Sequence, residues 1–341
     1  MPTIKDVARE AGVSIATVSY VLNDKTQAIS AETRARVWAA AEKIGYRANV
    51  TARSLRSSQS RLLGYAWHEI APEQSNTVLD RFSYALARAA EAAGYYMLTF
   101  TAPEDDPIPV YEELIRTGRV DGFIVGSTVR DDPRIRFLIE QKFPFVSFGR
   151  ANETWDFLWI DTDGEQGVGA AVDYLVGLGH KRIAMAAWPE ASLTGSFRVA
   201  GYFAGLKRAG IDLNPAFFIR GENDEVAGHD ACAAWLDLPP KERPTAVIAI
   251  SDVVAIGVMY EAERRGLTVG KDLSLIGFDD APMAAYLRPA LTTLRQPIAE
   301  IGAALVTMLD EAIKGNQPPQ RHVLMPPKLV LRYSCGVAPK S

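Results

Sequence analysis

The side chains best suited to meeting a charged partner lie at the start of the chain. Residues 1–61 hold ten Lys or Arg and five Asp or Glu, whereas residues 62–341 hold twenty-seven and thirty-six. A basic end on an acidic body is what docking on a phosphate backbone through one end requires. Small hydroxyl groups that can donate to phosphate oxygens stand among those cations: Thr3, Ser14, Thr17 and Ser19. The remaining residues lack the groupings that catalysis or metal binding needs. Cys232 and Cys335 are far apart and make neither a disulfide framework nor a thiolate cluster, and His68, His180, His229 and His322 fall at no ligand spacing. No nucleophile–base pair is evident, so no catalytic activity, metal or cofactor is expected. The segment DGEQGVG lacks the Gly-Lys-Ser/Thr ending of a phosphate loop, and no G-x-G-x-x-G follows the first strand. His180, in LGHKRI, reads as a turn residue at a helix end.

The elements that position these groups follow from periodicity and capping. Thr3 with Asp6 forms a capping-box pattern ahead of IKDVAREA, whose apolar face is Ile4, Val7, Ala8 and Ala11 and which Gly12 stops. Ser14 caps IATVSYVL, with Val18, Val21 and Leu22 inward. Two short helices joined only by AGVS form a helix-turn-helix pattern. Ser30 caps a third helix, AETRARVWAAAEKIGY, with an expected stripe of Val37, Trp38, Ala41 and Ile44, ended by Gly45. Residues 47–61, RANVTARSLRSSQSR, are polar, basic and serine-rich; they read as a linker with a helix-compatible stretch at 49–56 that is too short to be stable alone.

From residue 62 apolar strands alternate with amphipathic helices. The strands are LLGYAW, YYMLTF, VDGFIVGS, PFVSFGR, RIAMAAW, FFIRG, TAVIAIS and LSLIGFD. The helices are expected over 78–93, 109–117, 131–141, 164–178, 196–209, 225–236, 252–264 and 298–313. This alternation predicts parallel sheets covered on both faces. The stretch exceeds one comfortable sheet, so two lobes are expected, with IAMAA, VIAI and LIGF in the second; their exact boundary is not read from the sequence, because a chain can cross between lobes more than once. A composition of 48% hydrophobic and 23% charged residues suits a globular protein. No run of eighteen apolar residues appears, and the opening MPTIKDVARE has no long apolar stretch, so no membrane span or secretion signal is expected and the location expected is cytoplasmic.

The segments TIKDVAREAGVSIATVSYVLN and ANVTARSLRSSQS resemble the headpiece of the lactose-repressor (LacI/GalR) family. The resemblance continues through FVSFGR, IDTDGEQGVGAAVDYLVGLGHKRIA, SFRVAGYFAGL and GFDDAPMAAYLRPALTTLRQPIAEIGAA. It implies a helix-turn-helix DNA-binding headpiece over 1–47, a hinge helix and linker over 48–61, and a two-lobed, periplasmic-binding-protein-like effector and dimerisation domain over 62–336. The fold class is therefore α/β with an N-terminal all-α module. A homodimer on a near-palindromic double-stranded operator is implied. The ending PKLVLRYSCGVAPKS shows no leucine heptads, which favours a dimer over a tetramer. The implied function is sequence-specific transcriptional regulation. The leading expectation is a repressor of carbohydrate-utilisation genes controlled by a mono- or disaccharide between the lobes. The alternative is an activator, or a corepressor-dependent repressor, responding to a nucleobase or other small metabolite.

Carried onto the headpiece, the resemblance makes helix 15–22 the recognition helix, entering the major groove by its N-terminal end. Ile15 and Ala16 fall where the family reads bases, and can offer only apolar contact, for example to thymine methyls. Tyr20 stands where the family often has Arg; it can donate one hydrogen bond or stack on sugar but cannot fork onto guanine. Asn23 resembles a phosphate-holding residue. The hinge resembles the pattern PNxxARxLxxxxS with Ala48 in place of Pro, which removes a rigid helix-start residue. Asn49 then caps the hinge, Leu55 is the leucine wedged between base pairs from the minor groove, and Arg53 and Arg56 meet phosphate or the groove floor.

In the sensor, Arg198 resembles the family's effector-gripping arginine, opening a helix after EASLTGS; a guanidinium forks onto vicinal hydroxyls or a carboxylate. Asp279, in GFDD, resembles its carboxylate partner, with Asp280 structural. Asn223 falls where an aromatic often stacks on the ligand, and Ser251 where Asn or Asp is common, with Asp252 beside it. Trp67, Trp155, Trp159 and Trp188 are the candidates to stack on a sugar ring, whose C–H faces suit indole. Asp161 and Asp163 precede a glycine-rich helix start, a place for strand-end structure or effector contact.

Overall fold

The computed structural model describes residues 2–22, 29–46, 59–67 and 77–339. The chain divides into two compact units, Met1–Arg61 and Leu62–Ser341. Among the described residues no helix is long and apolar enough to cross a membrane.

In the first unit α1 spans Ile4–Ala11, α2 Ile15–Leu22 and α3 Ala31–Lys43. Each start is fixed by a hydroxyl or carboxyl cap that satisfies an otherwise orphaned backbone donor. The Thr3 backbone N–H donates to Asp6 Oδ2 at 2.9 Å, the Thr17 N–H to Ser14 Oγ at 3.0 Å and the Thr33 N–H to Ser30 Oγ at 3.3 Å. Gly12, with φ 62°, ends α1 in a left-handed conformation that a side chain would disfavour. The core is Val7, Ala8, Ala11, Val18, Val21, Val37, Ala40 and Ala41. One expectation for α3 fails. Trp38 is 56% exposed, and Ala40 takes its place in the stripe. The residues lining this small core are small, and Trp38 projects about 100° round the helix from Val37. The helix also stops at Lys43, short of Tyr46.

In the second unit the first lobe contains β1 (Leu62–Trp67), α4 (Thr77–Ala92), β2 (Tyr96–Thr101), α5 (Ile108–Arg116), β3 (Gly122–Val125), α6 (Pro133–Glu140), β4 (Phe145–Phe148) and β5 (Trp159–Thr162). The chain then enters the second lobe with α7 (Gly164–Gly177), β6 (Ile183–Ala187), α8 (Leu193–Arg208), β7 (Phe218–Arg220), α9 (Glu225–Leu236), β8 (Ala246–Ala249), α10 (Asp252–Arg264), β9 (Ser274–Phe278) and β10 (Thr292–Arg295). It returns for α11 (Ile298–Ile313) and β11 (His322–Met325), and crosses again for β12 (Lys328–Val330). The sheet orders are β11-β5-β4-β3-β1-β2 and β12-β10-β9-β8-β6-β7. All pairings are parallel except β12 on β10. The chain thus passes between lobes three times, near residues 163, 297 and 327. Strands β5, β10, β11 and β12 were not expected from the sequence. They are short, and β11 and β12 are largely exposed edge strands without the buried apolar runs that mark the central ones.

In each sheet the order reverses beside the first strand of the lobe, between β1 and β3 and between β6 and β8. Loops at the carboxyl ends of strands splay apart there and leave a crevice. The second-lobe crevice is braced by α9 and α10, which pack with almost no separation. A Cβ on Gly257 would lie 1.9 Å from Glu225 O, and one on Gly228 would lie 2.0 Å from Val254 O. Gly257→Ala is therefore expected to destabilise the second unit by about 2 kcal/mol, because the two backbones must separate. Denaturant unfolding measures it, and an unchanged midpoint would contradict the close approach.

Candidate functional site

On α2 the sequence-expected DNA contacts share an outward face. Val18 and Val21 are buried, while Ile15 and Tyr20 are 46% and 53% exposed. Ser14 and Ala16 are also exposed, and Thr17 and Ser19 are half-buried. Two large apolar-bodied side chains held outward by a well-capped helix are not used by the headpiece core and remain available to groove edges. Three hydroxyls are already engaged locally. Thr3 donates to Asp6 at 2.7 Å, and Ser14 and Thr17 share a hydrogen bond at 2.9 Å. Asn23, Asn49, Arg53, Leu55 and Arg56 lie outside the described residues.

In the second lobe, five of the expected effector residues form one cluster. Helix α8 begins at Leu193, capped by Ser192, so Arg198 sits in its second turn rather than opening it. Its buried guanidinium lies over the ring of Phe278, 3.5 Å from the centroid, with Trp188 on another side at 4.7 Å. Nη1 donates to the Ile250 carbonyl at 2.6 Å, Nη2 lies 3.8 Å from Asp279 Oδ1, and Nε has no partner among the described residues. Trp188 Nε1 and Ser251 Oγ both donate to Asn223 Oδ1, at 3.1 and 2.7 Å. Trp188 and Asp279 follow directly after β6 and β9, and Ser251 lies two residues after β8, where the sheet order places the crevice.

Asp279 has φ 116°, a conformation that favours glycine, and is held there by its N–H to the Leu294 carbonyl (2.7 Å) and by Gln296 Nε2 to its Oδ1 (2.8 Å). Such an outlier is found where neighbouring structure over-determines it, often at binding sites. Burial pushes its carboxyl up to about 6, against the opposing pull of Arg198. Asp252 lies deeper and accepts from Thr293 Oγ1 (2.5 Å) and the Ala281 N–H (2.7 Å); burial pushes it up to about 8. Asp280 is the brace expected of it, gripped by Arg295 and Arg332 at 2.5 and 2.6 Å.

Sequence reasoning did not assign roles to four residues that join the lobes here. Arg150, just after β4, lies over Phe197 of α8 at 3.2 Å from the ring centroid, and its Nε donates to Asp161 at 2.9 Å. Thr162 Oγ1 donates to Gln296 Oε1 at 2.6 Å, so Gln296 links a first-lobe strand end to Asp279. The segment SFGR was visible in the sequence, but nothing local indicated that its arginine reaches a helix of the other lobe. Asp163 caps α7 through the Gln166 N–H at 2.9 Å. The other tryptophans are not among the residues linked to Arg198. Trp155 packs against the Phe145–Phe157 core with Arg136 over its ring at 5.0 Å. Trp159 stacks on His322 at 4.9 Å. Trp67, at the end of β1, stands edge-on to Tyr65. His180 is buried between Thr245 Oγ1 and Ser274 Oγ, each at 2.9 Å.

A three-helix DNA-reading module in one chain with a two-lobed body, whose strand ends gather an arginine, carboxylates and an indole, defines a ligand-responsive transcriptional regulator. The comparisons agree. A family model described as "Bacterial regulatory proteins, lacI family" matches residues 3–49, and one described as "Periplasmic binding protein-like domain" matches residues 172–335. The chain is 32% identical to the "HTH-type transcriptional repressor PurR" of Klebsiella pneumoniae, over 99% of this chain and 98% of that one. It is similar to the solved structure of a regulatory protein of LacI family from Chloroflexus aggregans, with 46% identity, TM-score 0.78, and 81% of this chain and 99% of that one covered. It is also similar to the lac repressor dimer bound to operator and the anti-inducer ONPF, with 28% identity, TM-score 0.83 and 98% of each chain covered. The chain belongs to the LacI/GalR family of bacterial helix-turn-helix transcriptional regulators; it is a sequence-specific DNA-binding regulator, not an enzyme, with a small-molecule effector domain.

Proposed function

We propose that the protein is a repressor that holds a near-symmetric operator as a homodimer and whose grip on DNA is set by a small ring-bearing metabolite bound at Arg198. The observation that carries this is the state of the arginine. It is buried and fixed by two aromatic rings and a carbonyl, yet among the described residues its Nε is unpartnered and Asp279 stands beyond hydrogen-bond range. A buried donor is costly when unmet, so a ligand acceptor here gains a strong, charge-assisted hydrogen bond. A nucleobase-like ring suits the cluster. Its acceptor edge meets the guanidinium, its N–H groups meet Asp279, and Trp188 supplies the flat face that Asn223 lacks. A saccharide is the second reading, favoured because Arg198 and Asp279 also match a pair of vicinal hydroxyls.

In this reading Leu62 opens the sensor, residues 48–61 form the hinge, and Leu55 wedges the minor groove while Ile15 and Tyr20 face the major groove. Ligand binding changes how the lobes are held through Arg150–Phe197 and Thr162–Gln296, and with them the two hinges. A coupling of about 1–3 kcal/mol changes operator affinity roughly 5–150-fold. The repressor sign and the dimer rest on the family, in which a relative is named a repressor and a solved member is a dimer on its operator. A thermal-shift screen of nucleobases, nucleosides and mono- and disaccharides, followed by operator titration with each hit, tests the proposal. A compound that raises the midpoint and also shifts operator affinity is expected. Stabilisation by saccharides alone selects the second reading, and a bound compound that leaves operator affinity unchanged rules out the coupling.

A further inference from the structure

A cavity of about 610 Å³ opens on a different face of α8 from Arg198. Val199 and Phe203 form its floor, with Ser196 one turn earlier on that face; Arg130 enters from the first lobe, and Arg220 and Glu190 from the second. It shares no residue with the Arg198–Asp279 cluster. Its volume is in the range that holds a small metabolite.

The two arginines are presented by rigid supports. Arg220 ends β7; its Nη1 donates to the Trp188 carbonyl at 2.6 Å and its guanidinium lies 5.0 Å from the Phe218 ring. Its one acidic neighbour among the described residues, Glu190, is 4.0 Å away with a side chain 88% exposed, a surface pair of little strength. Arg130 sits on the loop after β3. A buried clasp holds that loop: Arg134 donates to Asp132 from Nε (2.9 Å) and Nη2 (2.6 Å), and to the Gly126 and Ser127 carbonyls at 3.2 and 3.0 Å. Arg130 itself has no acidic partner among the described residues. The cavity thus combines two cations, one outlying carboxylate and an apolar floor whose ring, Phe203, is 37% exposed.

We propose that this cavity is a second small-molecule site, for an organic anion whose charged group is shared by Arg130 and Arg220 and whose ring or apolar body covers Phe203. Two guanidiniums fork onto phosphate or carboxylate oxygens. Because one arginine comes from each lobe, the anion binds best at one lobe separation and biases the sensor towards it. Because Arg220 also holds the Trp188 backbone, the two sites share a strut.

Calorimetric titration of the full-length protein with phenyl phosphate, and separately with inorganic phosphate, tests this. Saturable binding of phenyl phosphate is expected, tighter than that of inorganic phosphate. Arg130→Ala and Phe203→Ser should each weaken it about tenfold or more. Absence of saturable binding at millimolar phenyl phosphate overturns the proposal. So does equal affinity for inorganic phosphate, or binding indifferent to both Arg130→Ala and Phe203→Ser, which would place the anion elsewhere.

Discussion

Replacing Arg198 by alanine is expected to lower affinity for the effector about 100-fold and to make operator affinity the same with and without it. The guanidinium is already ordered by the Ile250 carbonyl, Phe278 and Trp188, so a ligand that accepts from it does so at small entropic cost. Its loss leaves the ligand's polar edge unpaired in a desolvated site, and about 3 kcal/mol is the usual scale for that. A second effect adds to the first. Arg198 is the principal group opposing the upward push of burial on Asp279, so without it the carboxyl moves above about 6 and is more often neutral at pH 7, a poorer acceptor for ligand hydrogens. Arg198→Lys keeps the charge but not the planar fork, and should recover only part of the affinity. Effector titration and operator binding by fluorescence anisotropy measure both quantities. Wild-type effector affinity in Arg198→Ala would remove this residue from the site.

The protein is expected to lose stability as pH rises from 6 to 8, by about 2 kcal/mol, and Asp252→Asn is expected to abolish most of that slope. Asp252 is buried and its carboxyl is pushed up to about 8, first by burial and then by the nearby Asp279. An unfolded aspartate titrates near 4, so between about 4 and 8 the folded state binds a proton that the unfolded state does not. Stability therefore falls with rising pH across that window, at up to about 1.4 kcal/mol per pH unit, and the penalty is complete only above the folded value. Asp279, at about 6, adds to the slope at the lower end of the window. Asp280 works the other way. Arg332 and Arg295 outweigh its burial and lower it, so its contribution is present above the unfolded value and is lost as pH falls through the folded one. Asparagine at position 252 can still accept from the Ala281 N–H and can donate to Thr293 Oγ1, without a proton to lose. Urea unfolding at pH 6, 7 and 8 decides the matter. Parallel slopes in wild type and Asp252→Asn would show that this carboxyl is not the source.

The two effects meet in one place. Asp252 holds the Ala281 N–H, and Ala281 belongs to the turn that presents Asp279 at φ 116°. The buried carboxyl therefore stabilises the strained turn on which the arginine's partner stands. A site built this way is pre-organised: its strain is supported from beneath by Asp252 and from the side by Gln296.

Local information in the chain specified much of this protein. Capping hydroxyls, stop glycines and a period of three to four residues fixed α1, α2 and the start of α3, because those signals act within one or two helical turns. Alternating apolar runs and amphipathic helices fixed the α/β class and the central strands, and the resemblance of particular segments singled out Arg198 and Asp279. What periodicity could not supply was anything that depends on where a face finally points or what lies across from it. Trp38 and Trp155 are as apolar as their buried neighbours, yet one faces solvent and the other packs beside Arg136, because the shape of each core decided which side chain it could take. The four short strands at or near the sheet edges owe their existence to pairing with distant segments rather than to their own propensity. The reach of Arg150 to Phe197, the bond of Thr162 to Gln296, and the shared cavity of Arg130 and Arg220 join positions 47 to 134 residues apart. The sequence by itself determined the elements and the class of protein; the three crossings between lobes decided which of its polar groups face one another, since only the folded sheets bring those strand ends to a common crevice.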